Sequence, residues 1–169
     1  MFGKSKYSLF ILSFVFISAG CAYRLGTTLP SHLRTVYVHT FENTTKEAGI
    51  EVDITNTVIT YFRKDGNLQP VGEDEADSIL EAKITGWDRQ VLGYAGEDND
   101  VVDEYRLYIT AKITFRDEKN SETLIDNRTV KGYTDFLVEG SLPDSEEAAR
   151  PDAYDDLARQ IVDETVSVW

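Results

Sequence analysis

"YRLYITAKITFR", residues 105–116, is the stretch that decides the fold. Its odd positions, Tyr105, Leu107, Ile109, Ala111, Ile113 and Phe115, are apolar or aromatic. Its even positions, Arg106, Tyr108, Thr110, Lys112, Thr114 and Arg116, are cationic, hydroxylic or phenolic. Successive side chains of a strand point to opposite faces, so this period of two makes a β-strand with one core face and one wet or partner-facing side.

The same period appears on both flanks. In "DSILEAKITGWDRQ", residues 77–90, Leu80, Ala82 and Ile84 fall on one side and Glu81, Lys83, Thr85 and Trp87 on the other. "TLIDNRTVKGYTDF", residues 123–136, follows as a further strand after the turn "DEKNSE". "RTVYVHTF", residues 34–41, is β-branched and aromatic, with Val36 and Val38 alternating against Tyr37 and His39, and makes the first strand. "ENTTKEAG" then reads as a polar loop, "LQPV" as a short segment, and Glu73, Asp74 and Glu75 as an acidic turn.

Two stretches switch to helical spacing. From Gly49 to Lys64 the apolar positions are Ile50, Ile54, Val58 and Tyr61, and Asp65-Gly66 supplies the stop. Tyr154, Leu157, Ala158, Ile161, Val162 and Thr165 trace a second stripe, whose helix is expected to begin near Pro151 or Asp152 because proline suits a first turn. The order is β-α-β-β-β-α. Two amphipathic helices on one face of a largely antiparallel sheet are the economical way to bury both apolar faces, which gives an α+β two-layer sandwich over residues 32–169.

The N-terminus has a different grammar. Lys4 and Lys6 precede an apolar run from Tyr7 to Ile17, and the small residues Ser18, Ala19 and Gly20 follow, which is the order of a secretory signal peptide over residues 1–20. About 11 residues at about 1.5 Å each cover only half of a roughly 30 Å hydrocarbon core, so the run is a signal and not a membrane-spanning helix. Cys21, the only cysteine, has no disulfide partner, and His32 and His39 are the only histidines, too few for a Cys/His metal site. Ala19-Gly20-Cys21 resembles the bacterial lipobox, with Ser18 standing where an aliphatic residue is usual. Acylation of Cys21 then gives a membrane anchor, each buried CH₂ contributing about 0.8 kcal/mol. Ala22 in place of Asp resembles the outer-membrane sorting pattern, and residues 21–31 read as a tether.

Charge narrows the partners. The chain carries a formal net charge of −13, and a signal with two lysines and no carboxylate leaves the mature chain more acidic still. That argues against nucleic acid and against general attraction to anionic lipid surfaces, so an anionic ligand needs a local basic patch. The alternating strands supply a candidate: Lys83, Trp87, Arg106, Tyr108, Lys112 and Lys131, with Tyr133 beside them, gather donors and aromatic surface on one sheet face. The other reading of that face is a solvated surface with cross-strand charge pairs. In "RQVLGYAGEDND", residues 89–100, the apolar Val91, Leu92 and Tyr94 in a hairpin tip either insert into a partner or make a satellite core contact.

Other chemistry finds less support. Glu97, Asp98, Asp100, Asp103 and Glu104 lack the ordered spacing of a calcium loop and read as solvated, so no cofactor or metal is assigned. Asn43-Thr44-Thr45 and Asn127-Arg128-Thr129 match the glycosylation sequon but read as turn and strand chemistry. There is no phosphate-cradling glycine loop and no nucleophile elbow, and no catalytic residue is assigned.

"CAYRLG" with "LP" close behind, then "VYVHTFENTT", "GIEVDITNTVITYFRKDG", "EADSILEAKITGW", "EYRLYITAKITFRD" and "DDLARQIVDE", in that order, resemble the lipopolysaccharide-assembly lipoprotein family, LptE. The resemblance implies an outer-membrane lipoprotein that plugs and helps assemble the LptD β-barrel and assists delivery of lipopolysaccharide to the cell surface. Its implied partners are the barrel, lipopolysaccharide and, through Cys21, the membrane. Two alternatives stand beside it, another envelope lipoprotein such as a secretion-channel accessory subunit and a carboxylate-based hydrolase.

Overall fold

The computed structural model describes residues 29–95 and 101–167. In chain order the elements are β1 (Thr35–Val38), β2 (Glu42–Asn43), α1 (Ile50–Asp65), β3 (Gln69–Pro70), a 3-10 turn (Glu73–Glu75), β4 (Ser78–Ala95), β5 (Val101–Asp117), β6 (Glu122–Leu137) and α2 (Leu142–Val166). They form an α+β fold in which two helices pack on a mixed, mostly antiparallel six-stranded open sheet of order β3-β1-β4-β5-β6, with β2 on the β4 edge. The long strands β4, β5 and β6 are antiparallel, while β1 runs parallel to β3 and β4, and β2 parallel to β4.

The expected alternation of β5 holds along its whole core side: Leu107, Ile109, Ala111, Ile113 and Phe115 are fully buried and Tyr105 packs against them. Ile54, Val58 and Phe62 of α1 and Leu157, Ala158 and Ile161 of α2 close the core from the other layer. Both ends of α1 are set by glycine. Gly49 and Gly66 have φ of 86° and 78°, and the Gly66 N–H donates to the Phe62 carbonyl, the αL stop that Asp65-Gly66 signals.

Four expectations change. The first strand is shorter than residues 34–41, and the loop after it contains β2. β4 runs to Ala95, so Val91, Leu92 and Tyr94 stand on a strand and not in a loop. Helix α2 starts nine residues before Pro151. Ser141 caps it, its hydroxyl accepting from the Asp144 N–H, and Pro143 occupies the first turn, where a missing N–H costs nothing. Pro151 is then interior, which removes one helical hydrogen bond. Finally, β4 bulges. Ile84 pairs with Ala111 but Gly86 pairs with Thr110, leaving Thr85 as the extra residue, so the side chains from Gly86 to Val91 change face. Trp87 consequently lies opposite Ile109 on the helix side of the sheet, away from the face the simple alternation gives it.

The tightest contact between layers is at Gly132 of β6. A Cβ built there falls 2.4 Å from the backbone nitrogen of Leu157 and 2.5 Å from its Cα, so the α2 backbone rests on the strand itself. Next to it the Asp156 carboxylate accepts the outward Tyr133 N–H at 3.0 Å. The other end of the sheet is tied to the entering chain. His32 Nε2 lies 2.5 Å from the buried Asp117 carboxylate. Asp77 accepts from the Arg34 and Thr35 N–H groups and pairs with Lys119 at 2.6 Å. The Lys119 ammonium, with the backbone donors, holds the Asp77 carboxyl down to about 2.

Two outcomes follow from these contacts. Gly132→Ala forces the α2 backbone off the sheet and is expected to cost about 3 kcal/mol in urea unfolding of residues 29–169, against less than about 0.5 kcal/mol for Gly72→Ala, which meets open space and ordinary φ. Asp77 has a folded value below its unfolded one, so its contribution is complete above pH of about 4 and is lost as pH falls toward about 2. The melting temperature of wild type should therefore drop through that window more steeply than that of Asp77→Asn, and parallel curves would contradict the assignment.

Candidate functional site

The helices cover one face of the sheet and leave the other open. On that open face the register makes rows across β4, β5 and β6: Gln90, Arg106 and Asp135; Asp88, Tyr108 and Tyr133; Gly86, Thr110 and Lys131; Lys83, Lys112 and Thr129. Arg106, Tyr108, Lys112, Lys131, Tyr133 and Lys83 thus share one surface. This is what strict alternation gives for β5, and what a second bulge restores for β6. Phe115 pairs with Ile125 but Ile113 with Arg128, and Asn127 takes a φ of 48° in the bulge, a left-handed backbone that asparagine tolerates.

The upper rows are internally satisfied. Arg106 donates to both Asp135 oxygens, at 2.5 and 2.7 Å, a fork geometry that lysine cannot make. Its guanidinium carbon lies 4.5 Å from the Tyr133 ring centroid, and the Tyr108 and Tyr133 rings are 6.0 Å apart. The pair keeps the Asp135 carboxyl below its ordinary range, the Arg106 hydrogen bond being the main cause, and pushes the Arg106 value up. Arg106 is therefore a fixed part of the surface. The lower rows are less settled. Lys83 and Lys112 stand directly opposite each other, a like-charge pair that a sheet disfavours. Lys83 is offset by Glu42 at 2.9 Å, whereas Lys112 and Lys131 form no ion pair among the described residues. Lys83 and Lys112 border an open groove of about 430 Å³ whose lining also includes His39, Thr40, Glu42, Glu81 and Thr114.

Trp87 does different work. Its Nε1–H donates to Glu146 Oε1 at 2.9 Å, Arg89 donates to Glu146 Oε2 at 2.9 Å, and the Arg150 guanidinium lies 5.1 Å from the indole centroid. Arg150 also reaches Glu47 at 2.8 Å. The cluster clasps β4, the β2–α1 loop and α2, and removing Arg89 would leave the buried Glu146 carboxylate without its counter-ion. Sequence reading missed Arg89, Glu146 and Arg150. The stripe Glu146, Ala149, Ala153, Leu157 extends the α2 pattern backwards and would have found Glu146, but small residues carry little apolar signal.

Val91, Leu92 and Tyr94 are 37%, 38% and 54% exposed, and Val101 and Leu137 extend the same apolar end of the sheet. They are neither a satellite core nor part of the cationic rows. Asp103 and Glu104 lie near the start of β5, while Glu97, Asp98 and Asp100 lie outside the described residues, as does Cys21. Among the described residues no group of three His, Cys, Asp or Glu side chains is placed to hold a metal ion. What the open face can do is bind: it presents free ammonium groups, fixed hydrogen-bonding side chains and tyrosine edges on a rigid sheet.

Solved structures share this fold at low sequence identity. A hypothetical protein, CT253, from Chlamydia trachomatis superposes with a TM-score of 0.57 at 11% identity, covering 80% of this chain and 98% of that one. Uncharacterised lipoprotein B from Nitrosomonas europaea gives 0.51 at 14% identity, covering 84% and 91%. A minor lipoprotein from Acinetobacter baumannii gives 0.50 at 14%, covering 78% and 92%. No curated protein matches the sequence significantly. The family model described as LptE, lipopolysaccharide-assembly, matches residues 33–165, from the entry into β1 to the end of α2, and the chain belongs to that family.

Proposed function

We propose that this chain is an outer-membrane lipoprotein that plugs and helps assemble an LptD-type β-barrel and assists delivery of lipopolysaccharide to the cell surface. Membership of the LptE family carries the reading. The open sheet face gives it a physical means: the lumen of a membrane barrel is polar, and a plug meets it with polar and aromatic groups on a rigid support. Lys112 and Lys131, unpaired among the described residues, are the cations available to a carboxylate of the barrel or a phosphate of lipopolysaccharide. Lys83, Arg106 and Tyr108 complete that surface, and Trp87 acts behind it as a brace. The exposed end at Val91, Leu92 and Tyr94 is a second contact region. The reading assigns no catalytic step.

Acyl chains on Cys21 hold the protein to the membrane, and residues 21–31 give the domain its reach on the periplasmic side or within the barrel. Among the described residues no helix is long and apolar enough to cross a membrane. Because Arg106 is bound to Asp135, reversing its charge would damage the sheet as well as any interface, so the test belongs to the lysines.

Lys112→Glu combined with Lys131→Glu is expected to leave the melting temperature within about 2 °C of wild type while reducing recovery of the barrel, or binding of lipopolysaccharide, about tenfold or more. Unchanged recovery and binding would assign this face to solvent. Intact mass of protein extracted from outer membranes should show loss of residues 1–20 and added acyl mass on Cys21. Processed protein with an unmodified Cys21 would refute the anchor.

A further inference from the structure

The two edges of the sheet are treated differently. Along β6, the α2 backbone sits against Gly132, Asp156 takes the Tyr133 N–H, and Arg128 and Lys131 add charge. Along β4, β1 covers residues 78–80 and β2 covers 83–84, where the Thr44 N–H and hydroxyl both donate to the Ile84 carbonyl and end the ladder. From Gly86 onward, no described strand lies beside β4, yet its pairing with β5 stays in regular register through Val91. Every second residue of this run therefore turns its N–H and C=O outward without a partner among the described residues.

That edge borders a polar groove of about 510 Å³ between residues 45–47 and 85–89. Its charged members are Lys46, Glu47, Asp88 and Arg89, two of each sign, and Glu47 and Arg89 are already bound to Arg150 and Glu146. Such a lining offers an ion no net field. Its unused capacity is main-chain hydrogen bonding, continued upward by the exposed Val91, Leu92 and Tyr94, side chains that suit strand neighbours.

We propose that the β4 edge from Gly86 to Val91 is a docking site for an extended, uncharged segment of the barrel partner, which adds to the sheet as a further strand. The inference rests on the barrel reading given under Proposed function. A second copy of this chain is the poorer occupant, because two molecules of formal charge −13 repel.

Hydrogen exchange tests it, on the full-length lipoprotein alone and on its complex with the co-expressed LptD-type barrel. The outward amides among residues 86–91 should exchange quickly in the free protein and at least tenfold more slowly in the complex, while residues 128–137 change little. Val91→Lys should lower recovery of the barrel several-fold with an unchanged melting temperature, and Leu137→Lys should not. A complex that forms while residues 86–91 keep their free exchange rate overturns the inference and leaves the barrel reading standing. Protection already present in the monomeric free protein, or a dimer by mass that carries the protection, gives the edge to another occupant and also overturns it. Failure of any complex to form contradicts the barrel reading itself, and the inference falls with it.

Discussion

The close approach of α2 to β6 at Gly132 is the constraint on which the two-layer arrangement depends. With only a hydrogen on that Cα, the backbone of Leu157 comes down onto the strand, and the side chains of Leu157, Ala158 and Ile161 reach a sheet whose inner face is already filled by β5. The same proximity brings Asp156 to the Tyr133 N–H, so one glycine fixes both the depth of the core and the protection of an edge. With both helices held on the inner face, the outer face is left open, and its rows follow from the alternation of β5 together with the bulges in β4 and β6.

The bulge at Thr85 has a comparable reach. It turns Trp87 inward to Glu146 and thereby joins the free upper half of β4 to the first turns of α2. A buried carboxylate held by an indole N–H and a guanidinium is costly to assemble and costly to break, which makes it a positional device more than a source of stability. Below the bulge β4 is an interior strand; above it, β4 is an edge. The division of the molecule into a closed lower sheet and an exposed upper hairpin thus begins at one inserted residue.

Much of this was legible in the residues. The period of two in 105–116 gave β5, its two faces and the positions of Arg106, Tyr108 and Lys112, and the stripe from Ile50 with its Asp65-Gly66 stop gave α1 nearly to the residue. What failed were places where a short-range rule was overruled by a longer-range contact. Pro151 looks like a helix start, but Ser141 and Pro143 form a better one, and the helix carries through the interior proline with Ala149 buried before it and Ala153 and Tyr154 buried after it. Trp87 was misplaced because a bulge leaves no reliable mark in composition; Gly86 beside Thr85 was the one hint. The pairing of Arg106 with Asp135 was invisible because it joins residues 29 apart through a register that only the folded sheet defines.

In the function proposed for this chain, the open sheet face, and not the helical layer, meets the barrel. Lysine acetylation footprinting tests this on residues 29–169 alone and on their proposed complex with an LptD-type barrel, with Lys83, Lys112 and Lys131 reporting the open face and Lys64 the end of α1. Lys112 and Lys131 should react freely in residues 29–169 alone and lose most of that reactivity in the complex, with Lys64 changing less. Full reactivity of Lys112 and Lys131 in the complex, together with loss at Lys64, would contradict it.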